Sequence, residues 1–425
     1  MGDEKANVML DFEHGEISEA VNRALKQLPD HQREAFVLRR FQDMSYEDIA
    51  AVTNTPIGTV KSRVVRAERA LRDAELSAAA AVIDSHHWVL GSQVTRFEEA
   101  WAQASGSQHA VGVANGLDAI EIALRCLGIG PGDEVITTSM TAFATVLAIV
   151  RAGATPVLAD IDPGTGLLAQ ASVERCLSPR TRAVLLVHLY GQARDVAAWA
   201  DFCAARDVVL VEDCAQSHLA VSGGRPAGTF GPMAAYSFYP TKNLGAIGDA
   251  GAVVTDDAAL AEQAACLRNY GQRARYEHVA MGLNSRLDEL QAALLLARLD
   301  WLVEFTARRQ EVAATYREAI DNEAIRLLAP PLEHASHVYH QFVVTTDDRD
   351  ALAAHLASAG VGSLVHYPVA MQDQPALAGV AADPAGLPVS AAHAATCLSI
   401  PCHPQLTDDQ VSQVVDAVNA YRPKR

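Results

Sequence analysis

Apolar residues recur at helical spacing through residues 16–75. Leu25, Leu28, Phe36, Val37, Leu38, Ile49, Ala50, Val60, Val64 and Leu71 mark the buried faces, with polar residues between them. Pro29-Asp30 ends one helix and starts another. Ser45 before Tyr46-Glu47-Asp48 reads as an N-cap followed by first-turn carboxylates. Thr53-Asn54-Thr55-Pro56 interrupts the chain, and a further helix is predicted from about Gly58 to Arg72. The pattern is helix, short turn, helix, with no strand-like alternation before about His109.

Beyond His109 the period changes. Seven short, β-branched apolar runs alternate with helical segments: His109–Val113, Glu134–Thr138, Pro156–Ile161, Ala183–Leu189, Val208–Glu212, Ala234–Phe238 and Gly251–Thr255. This alternation predicts an α/β fold on a mainly parallel sheet. Leu- and Ala-rich helices follow over about 286–321. Gln341–Thr345 and Gly362–His366 then read as strands among helices, which predicts a smaller α+β region. The expected organisation is a polar tail at 1–15, a helical module at 16–75, a large α/β domain at 76–320 and a small α+β domain at 321–425.

Composition narrows the class. The chain has 425 residues, 50% hydrophobic and 20% charged, an ordinary globular mix that excludes disordered, collagen-like and coiled-coil chains. Apolar stretches such as Ala78–Ile83 and Ala292–Leu296 are too short to span a bilayer. The first 20 residues are polar and acidic, so no signal peptide is expected. Seven cysteines stand singly, with no C-x-x-C pair. They predict a reducing cytoplasm and neither a disulfide framework nor a structural zinc. The net charge of −17 argues against general nucleic-acid binding by the whole chain. Residues 1–76 hold 11 lysines and arginines against 14 acids, so most of the acidic excess lies further on.

Three features of the long part suit pyridoxal chemistry. Lys242 lies in an apolar, glycine-rich loop between strands, Ser237-Phe-Tyr-Pro-Thr-Lys-Asn-Leu-Gly245. Burial lowers a lysine pKa toward the nucleophilic neutral amine. Asp213 ends the apolar strand Val208-Val-Leu-Val-Glu-Asp213, where α/β sheets place ligands, and could hold a pyridine nitrogen protonated. Asn115-Gly-Leu-Asp118 opens a helix whose free N–H groups suit a phosphate. Each feature also has a plain structural explanation: an ion pair, a turn or cap residue, and an ordinary strand-to-helix turn.

Taken together, residues 78–423 resemble the sugar aminotransferases that act on nucleotide-linked keto-sugars (the DegT/DnrJ/EryC/StrS type), a branch of the fold-type I pyridoxal phosphate enzymes. The motifs are Gly112-Val-Ala-Asn-Gly-Leu-Asp-Ala-Ile120, Gly130-Pro-Gly-Asp-Glu-Val135, Val187-His-Leu-Tyr-Gly-Gln192, Glu212-Asp-Cys-Ala-Gln-Ser-His218, the Lys242 loop, Gly282-Leu-Asn-Ser-Arg-Leu-Asp-Glu-Leu-Gln-Ala-Ala293 and His366-Tyr-Pro368. The resemblance implies a large domain with a seven-stranded, mainly parallel sheet and a small C-terminal α+β domain. It implies pyridoxal 5'-phosphate as cofactor, bound covalently to Lys242, which then shuttles the proton. Asp213 would pair with the pyridine nitrogen, Gln216 contact the ring hydroxyl and Phe143 stack on the ring. Gly116, Leu117 and the Ser237 hydroxyl would hold the phosphate, with Asn284 reaching it from the partner subunit of a homodimer. His188, His218 and Tyr190 are candidates for the sugar pocket, each with packing or a local hydrogen bond as the alternative. Lys242 itself argues against the related dehydratases, which carry histidine there. Leu219 stands where the family commonly has glycine. The implied reaction moves an amino group, from L-glutamate, to a nucleotide-diphospho keto-deoxysugar. The Asn284–Gln291 and Asn269–Gln272 stretches resemble the members that act at the 3-keto position.

The first helices carry a second resemblance. Leu28-Pro-Asp-His-Gln-Arg-Glu-Ala-Phe-Val-Leu-Arg39, Met44-Ser-Tyr-Glu-Asp-Ile-Ala50 and Gly58-Thr-Val-Lys-Ser-Arg63 are similar to the promoter-reading domain of extracytoplasmic-function sigma factors. This implies a helix-turn-helix with Thr59, Lys61, Ser62, Arg63 and Arg66 toward DNA, and contact with DNA or RNA polymerase. Two alternatives to a plain enzyme therefore stand: a transcription regulator with an aminotransferase-like sensor body, and an enzyme whose first helices are only an interaction module.

Overall fold

The computed structural model describes residues 72–423. The expected helices at 16–71, and with them Thr59, Lys61, Ser62, Arg63 and Arg66, lie outside the described residues. The described chain opens with a helix over 72–85 (α1) and a second over Ser92–Ser105 (α2).

The strands that follow match the sequence expectation within one or two residues. They are β1 (His109–Val113), β2 (Glu134–Thr138), β3 (Thr155–Ala159), β4 (Thr181–Val187), β5 (Val209–Asp213), β6 (Met233–Ser237) and β7 (Gly251–Thr255). In space they run β1-β7-β6-β5-β4-β2-β3. β3, β2, β4, β5 and β6 are parallel to one another, and β7 is antiparallel to both β1 and β6. The two-residue strand Ala381–Ala382 joins as an eighth, parallel to the β3 edge. The central strands are nearly fully buried, as expected of a parallel sheet covered on both faces. One face packs on α2 through Val94, Phe97 and Trp101; the other packs on helix α3 (Gly116–Cys126) through Ala119, Ile120, Ala123 and Leu124.

The predicted helical stretch at 286–321 is two helices, α8 (Glu289–Leu299) and α9 (Leu302–Ala319). The helices between α3 and α8 are α4 (Phe143–Arg151), α5 (Gln170–Cys176), α6 (Val196–Ala204) and α7 (Ala258–Leu267). A separate core gathers Val312, Ala313 and Tyr316 of α9 with Phe342, Val344, Leu398 and Val418. Its sheet pairs Phe342–Thr345 with Arg326–Leu327 on one side and Cys397–Ile400 on the other. The strand expected at Gly362–His366 is not formed. Only Leu364 bridges to Ser399 before the chain turns away, because His366 and Tyr367 are drawn toward the large sheet. Among the described residues, no helix is long and apolar enough to cross a membrane.

Two buried carboxylates hold this C-terminal region to the large sheet. Asp160 accepts hydrogen bonds from the backbone N–H groups of Val389 and Ser390, at 3.0 and 2.8 Å, and from the Ser390 hydroxyl. Asp383, just after the eighth strand, accepts from Ser172 and from Arg175 of α5. The Arg175 guanidinium holds the Asp383 carboxyl down at about 2. A third buried carboxylate, Glu289, caps α2 from a distance of nearly 200 residues. It accepts from Gly91, Gln93 and Val94 N–H at 2.8–2.9 Å. Glu289→Ala leaves three N–H groups without that acceptor. It is expected to cost about 2–4 kcal/mol, read as a lower urea midpoint at unchanged slope.

Candidate active site

The site forms where β4, β5 and β6 end. Register sets Val187, Asp213 and Ala235 side by side, so the loops after these strands rise together. Asp213 is buried at the last position of β5. One carboxylate oxygen accepts from the Thr145 hydroxyl at 2.9 Å and the other from the Ala215 N–H at 3.1 Å. Thr145 is steadied by Thr141 at 2.8 Å. Burial raises the Asp213 carboxyl, while Ala215, Thr145 and the nearby Lys242 charge pull it back.

Lys242 sits in a closed loop after β6. The Ala246 N–H bonds the Phe238 carbonyl at 2.8 Å, and the Lys242 N–H bonds the Tyr239 carbonyl at 2.8 Å. Gly245 lies so close to Pro240 that a Cβ there would stand 2.5 Å from the Pro240 carbonyl oxygen. Asn243 donates to the Val338 carbonyl at 3.0 Å and meets His340 Nδ1 at 3.3 Å. Burial lowers the Lys242 amine to about 8, against the Asp213 charge, which raises it. Burial, and after it the Lys242 charge, pushes His218, His340 and His366 down, His218 to about 3 and His366 to about 4. They stay neutral beside the Lys242 and Arg309 charges.

Gln216 ties the loop after β4 to the chain at Tyr367. Its Oε1 accepts from the Tyr190 N–H at 2.5 Å, and its Nε2 donates to the Tyr367 hydroxyl at 3.2 Å. Tyr190 is fully buried and donates to the His366 carbonyl at 2.6 Å, with His393 Nε2 at 2.9 Å. His188 pairs with Glu212 at 2.9 Å. Burial pushes the Glu212 carboxyl up, but His188 and the N–H groups of Gly228 and Gly231 outweigh it and hold it low. The rings of Trp101, Tyr236 and Phe238 surround His218 at 5.5–5.7 Å. The rings of Tyr190, His188 and His218 are therefore engaged in packing and support. Leu219 has φ +63°, a left-handed conformation that glycine adopts freely.

Gly116 opens α3. Asn115 caps it by accepting from Asp118 N–H at 2.8 Å, and the Ala119 N–H bonds the Asn115 carbonyl. The N–H groups of Gly116 and Leu117 have no carbonyl one turn earlier in the helix to bond. A Cβ on Gly116 would stand 2.6 Å from Ser237 Cβ, so only glycine lets the helix end approach Ser237. Asn284 bridges Asn269, and its neighbour Ser285 accepts from the Ala114 N–H at 3.1 Å, just behind this cradle. Phe143, the first residue of α4, packs by Val146 and Met371, two positions from Thr145. Thr145, Tyr367, His340 and Asn243 were not assigned roles from sequence. Tyr367 and Asn243 lie inside motifs given above, but only the tertiary contacts show what they and Thr145 hold.

The fold is that of an aminotransferase with a fold-type I large domain. Residues 69–419 match the model of the DegT/DnrJ/EryC1/StrS aminotransferase family, and the chain belongs to that family. Residues 18–71 match Sigma-70, region 4. The chain is 44% identical over 345 residues to a dTDP-3-amino-3,4,6-trideoxy-alpha-D-glucose transaminase of Streptomyces venezuelae, covering 81% of this chain and 91% of that one. It is 41% identical over 342 residues to a pleiotropic regulatory protein of Geobacillus stearothermophilus, covering 80% and 92%. The structure of S. venezuelae DesV in complex with a ketimine intermediate is similar with a TM-score of 0.80 and 44% identity, covering 83% of this chain and 95% of that chain. The cofactor of the family is pyridoxal phosphate. The residues present fit it: a glycine-opened helix end beside a serine hydroxyl for the phosphate, a buried carboxylate for the ring nitrogen, and a lysine of lowered pKa.

Two outcomes are expected. Gly116→Ala drives a methyl group into Ser237 and should weaken cofactor binding about tenfold, ~1.4 kcal/mol, measured by equilibrium dialysis of apoprotein with pyridoxal phosphate. Covalent capture of the cofactor through Lys242 would need its neutral amine. Its rate should therefore rise with pH and level off above about 8, whereas an ordinary lysine would keep gaining to about 10.4.

Proposed function

We propose that this enzyme transfers the amino group of L-glutamate to the 3-keto carbon of a nucleotide-diphospho keto-deoxysugar, giving 2-oxoglutarate and a 3-amino sugar nucleotide. The carrying observation is the charge pairing of Lys242, lowered to about 8 in the loop after β6, with the buried Asp213 carboxylate at the end of β5, on a loop that starts at Ser237 against the glycine-opened helix at Gly116. The nucleotide-sugar substrate and the 3-position are supported by the S. venezuelae transaminase, whose name states that chemistry. In this reading the enzyme is a cytoplasmic homodimer, and the partner's Asn284 completes the phosphate cradle.

Pyridoxal phosphate, when bound, supplies an electron sink for the carbon that bears the amino group. The chain's residues do the rest. Gly116 and Leu117 N–H groups with the Ser237 hydroxyl hold the phosphate, Phe143 covers the ring and Gln216 meets its hydroxyl. Asp213, its oxygens fixed by Thr145 and Ala215, balances positive charge at the ring nitrogen. The Lys242 amine takes the proton from the donor's α-carbon and returns one in the second half of the reaction. Asn243, held by Val338 and His340, keeps the lysine loop at that distance.

A second reading rests on the Sigma-70 region 4 match at 18–71. DNA contact by Thr59, Lys61, Ser62, Arg63 and Arg66 should appear as binding that weakens steeply with salt. A gel shift absent at low salt would leave these helices as an interaction module.

The experiment for the enzyme is a visible spectrum of purified, cofactor-loaded protein before and after L-glutamate. The expected result is a yellow protein bleached by glutamate, with no such native band in Lys242→Ala. A protein that takes up no pyridoxal phosphate, or a Lys242→Ala variant with an unchanged band, would overturn this reading. A band that persists with glutamate but bleaches with another amino acid would overturn the donor alone.

A further inference from the structure

The base of the Lys242 loop has a support outside the cofactor site. With Ala246 N–H turned inward to Phe238 and Gly245 pressed on Pro240, the carbonyls of Gly245 and Ala246 face α8. One side chain of that helix collects both. Arg298 Nη1 donates to the Gly245 carbonyl and, at 3.3 Å, to the Ala246 carbonyl. Gln291, two turns earlier on α8, accepts from the next N–H, Ile247, at 3.0 Å. The other side of the guanidinium is also engaged: Arg298 Nε donates to Glu75 Oε1 at 2.7 Å. The pair is sheltered, with about a quarter of each side chain exposed, 26% and 23%.

Glu75 belongs to α1, four residues past the end of the Sigma-70 region 4 match. A guanidinium is a rigid planar fork, so the acceptor at Nε decides where Nη1 points. A lysine ammonium has no such geometry.

We propose that Glu75 and Arg298 are positioning residues for the Lys242 loop: Glu75 aims the guanidinium, and Arg298 sets the two carbonyls three and four residues beyond the lysine. The inference rests on the reading that Lys242 carries the cofactor. It makes the helix leading out of the sigma-like segment part of the active-site support. Movement of α1 would pass to the lysine loop through two side chains.

The test uses full-length protein loaded with pyridoxal phosphate. The readouts are the pH midpoint of its visible band and the cofactor dissociation constant, with the melting temperature measured alongside. The variants are Glu75→Ala, Glu75→Gln, Arg298→Lys, Lys242→Ala and, as a remote control, Arg326→Gln, which breaks the exposed pair with Asp347. The groups facing Lys242 are Asp213, His218, His340 and His366. None of these is altered, so a moved midpoint reports the lysine's placement. Glu75→Ala and Arg298→Lys should each shift the midpoint by about half a pH unit and weaken cofactor binding about three- to tenfold. Glu75→Gln, which keeps an oxygen for Nε, should restore most of the shift, and Arg326→Gln should show none. Glu75→Ala sits on a helix surface, so it decides the matter if Arg298→Lys fails to fold. An unchanged midpoint and dissociation constant in Glu75→Ala, or a change in melting temperature alone, would overturn the proposal. A normal band in Lys242→Ala would instead overturn the cofactor reading on which it rests.

Discussion

The structure depends on sheltering from water an aspartate carboxylate at the end of β5 and a lysine amine in the loop after β6. Burial disfavours both charges. It brings Lys242 down to about 8 and raises Asp213, and each charge moderates the other's shift. The surroundings complete the compensation. Thr145 and Ala215 satisfy the carboxylate oxygens, and the nearby histidines remain neutral.

The same demand explains why the large sheet alone is insufficient. The Lys242 loop is held on one side by Val338 and His340, and on the other by Arg298 and Gln291 of α8. Gln216 reaches Tyr367, and Tyr190 reaches His366. The C-terminal region is in turn fastened to the sheet edge by Asp160 and Asp383. These carboxylates lie far from the lysine, yet they locate the segment that closes the site. Glu289 plays the corresponding part at the other end, fixing the chain at 91–94 against α8.

Much of the site was legible because its residues break ordinary rules. A lysine in an apolar glycine-rich loop and an aspartate ending an apolar strand invite explanation, and both are where the sequence places them. His188, His218 and Tyr190 were harder. Their motif positions suggest a pocket, yet His188 is engaged with Glu212, His218 is enclosed by three aromatic rings, and the buried Tyr190 donates to the His366 carbonyl. No local pattern distinguishes a histidine that lines a cavity from one that supports its wall. The unformed strand at Gly362–His366 is a similar case: its composition suits a strand, but the pull of Gln216 on Tyr367 turns the chain away.

The amino-acid sequence by itself determined the seven strands, their alternation with helices, the lysine, the strand-end aspartate and the glycine at the helix start. These follow from periodicity and from chemistry that a local window contains. Tertiary structure alone decided the antiparallel place of Gly251–Thr255 between β1 and β6, the eighth strand at Ala381–Ala382, and the partners of Thr145, Tyr367, Glu289 and Arg298. Those contacts join residues tens to hundreds of positions apart. The hydrogen bond that gives each side chain its role comes into being only when distant elements have packed together.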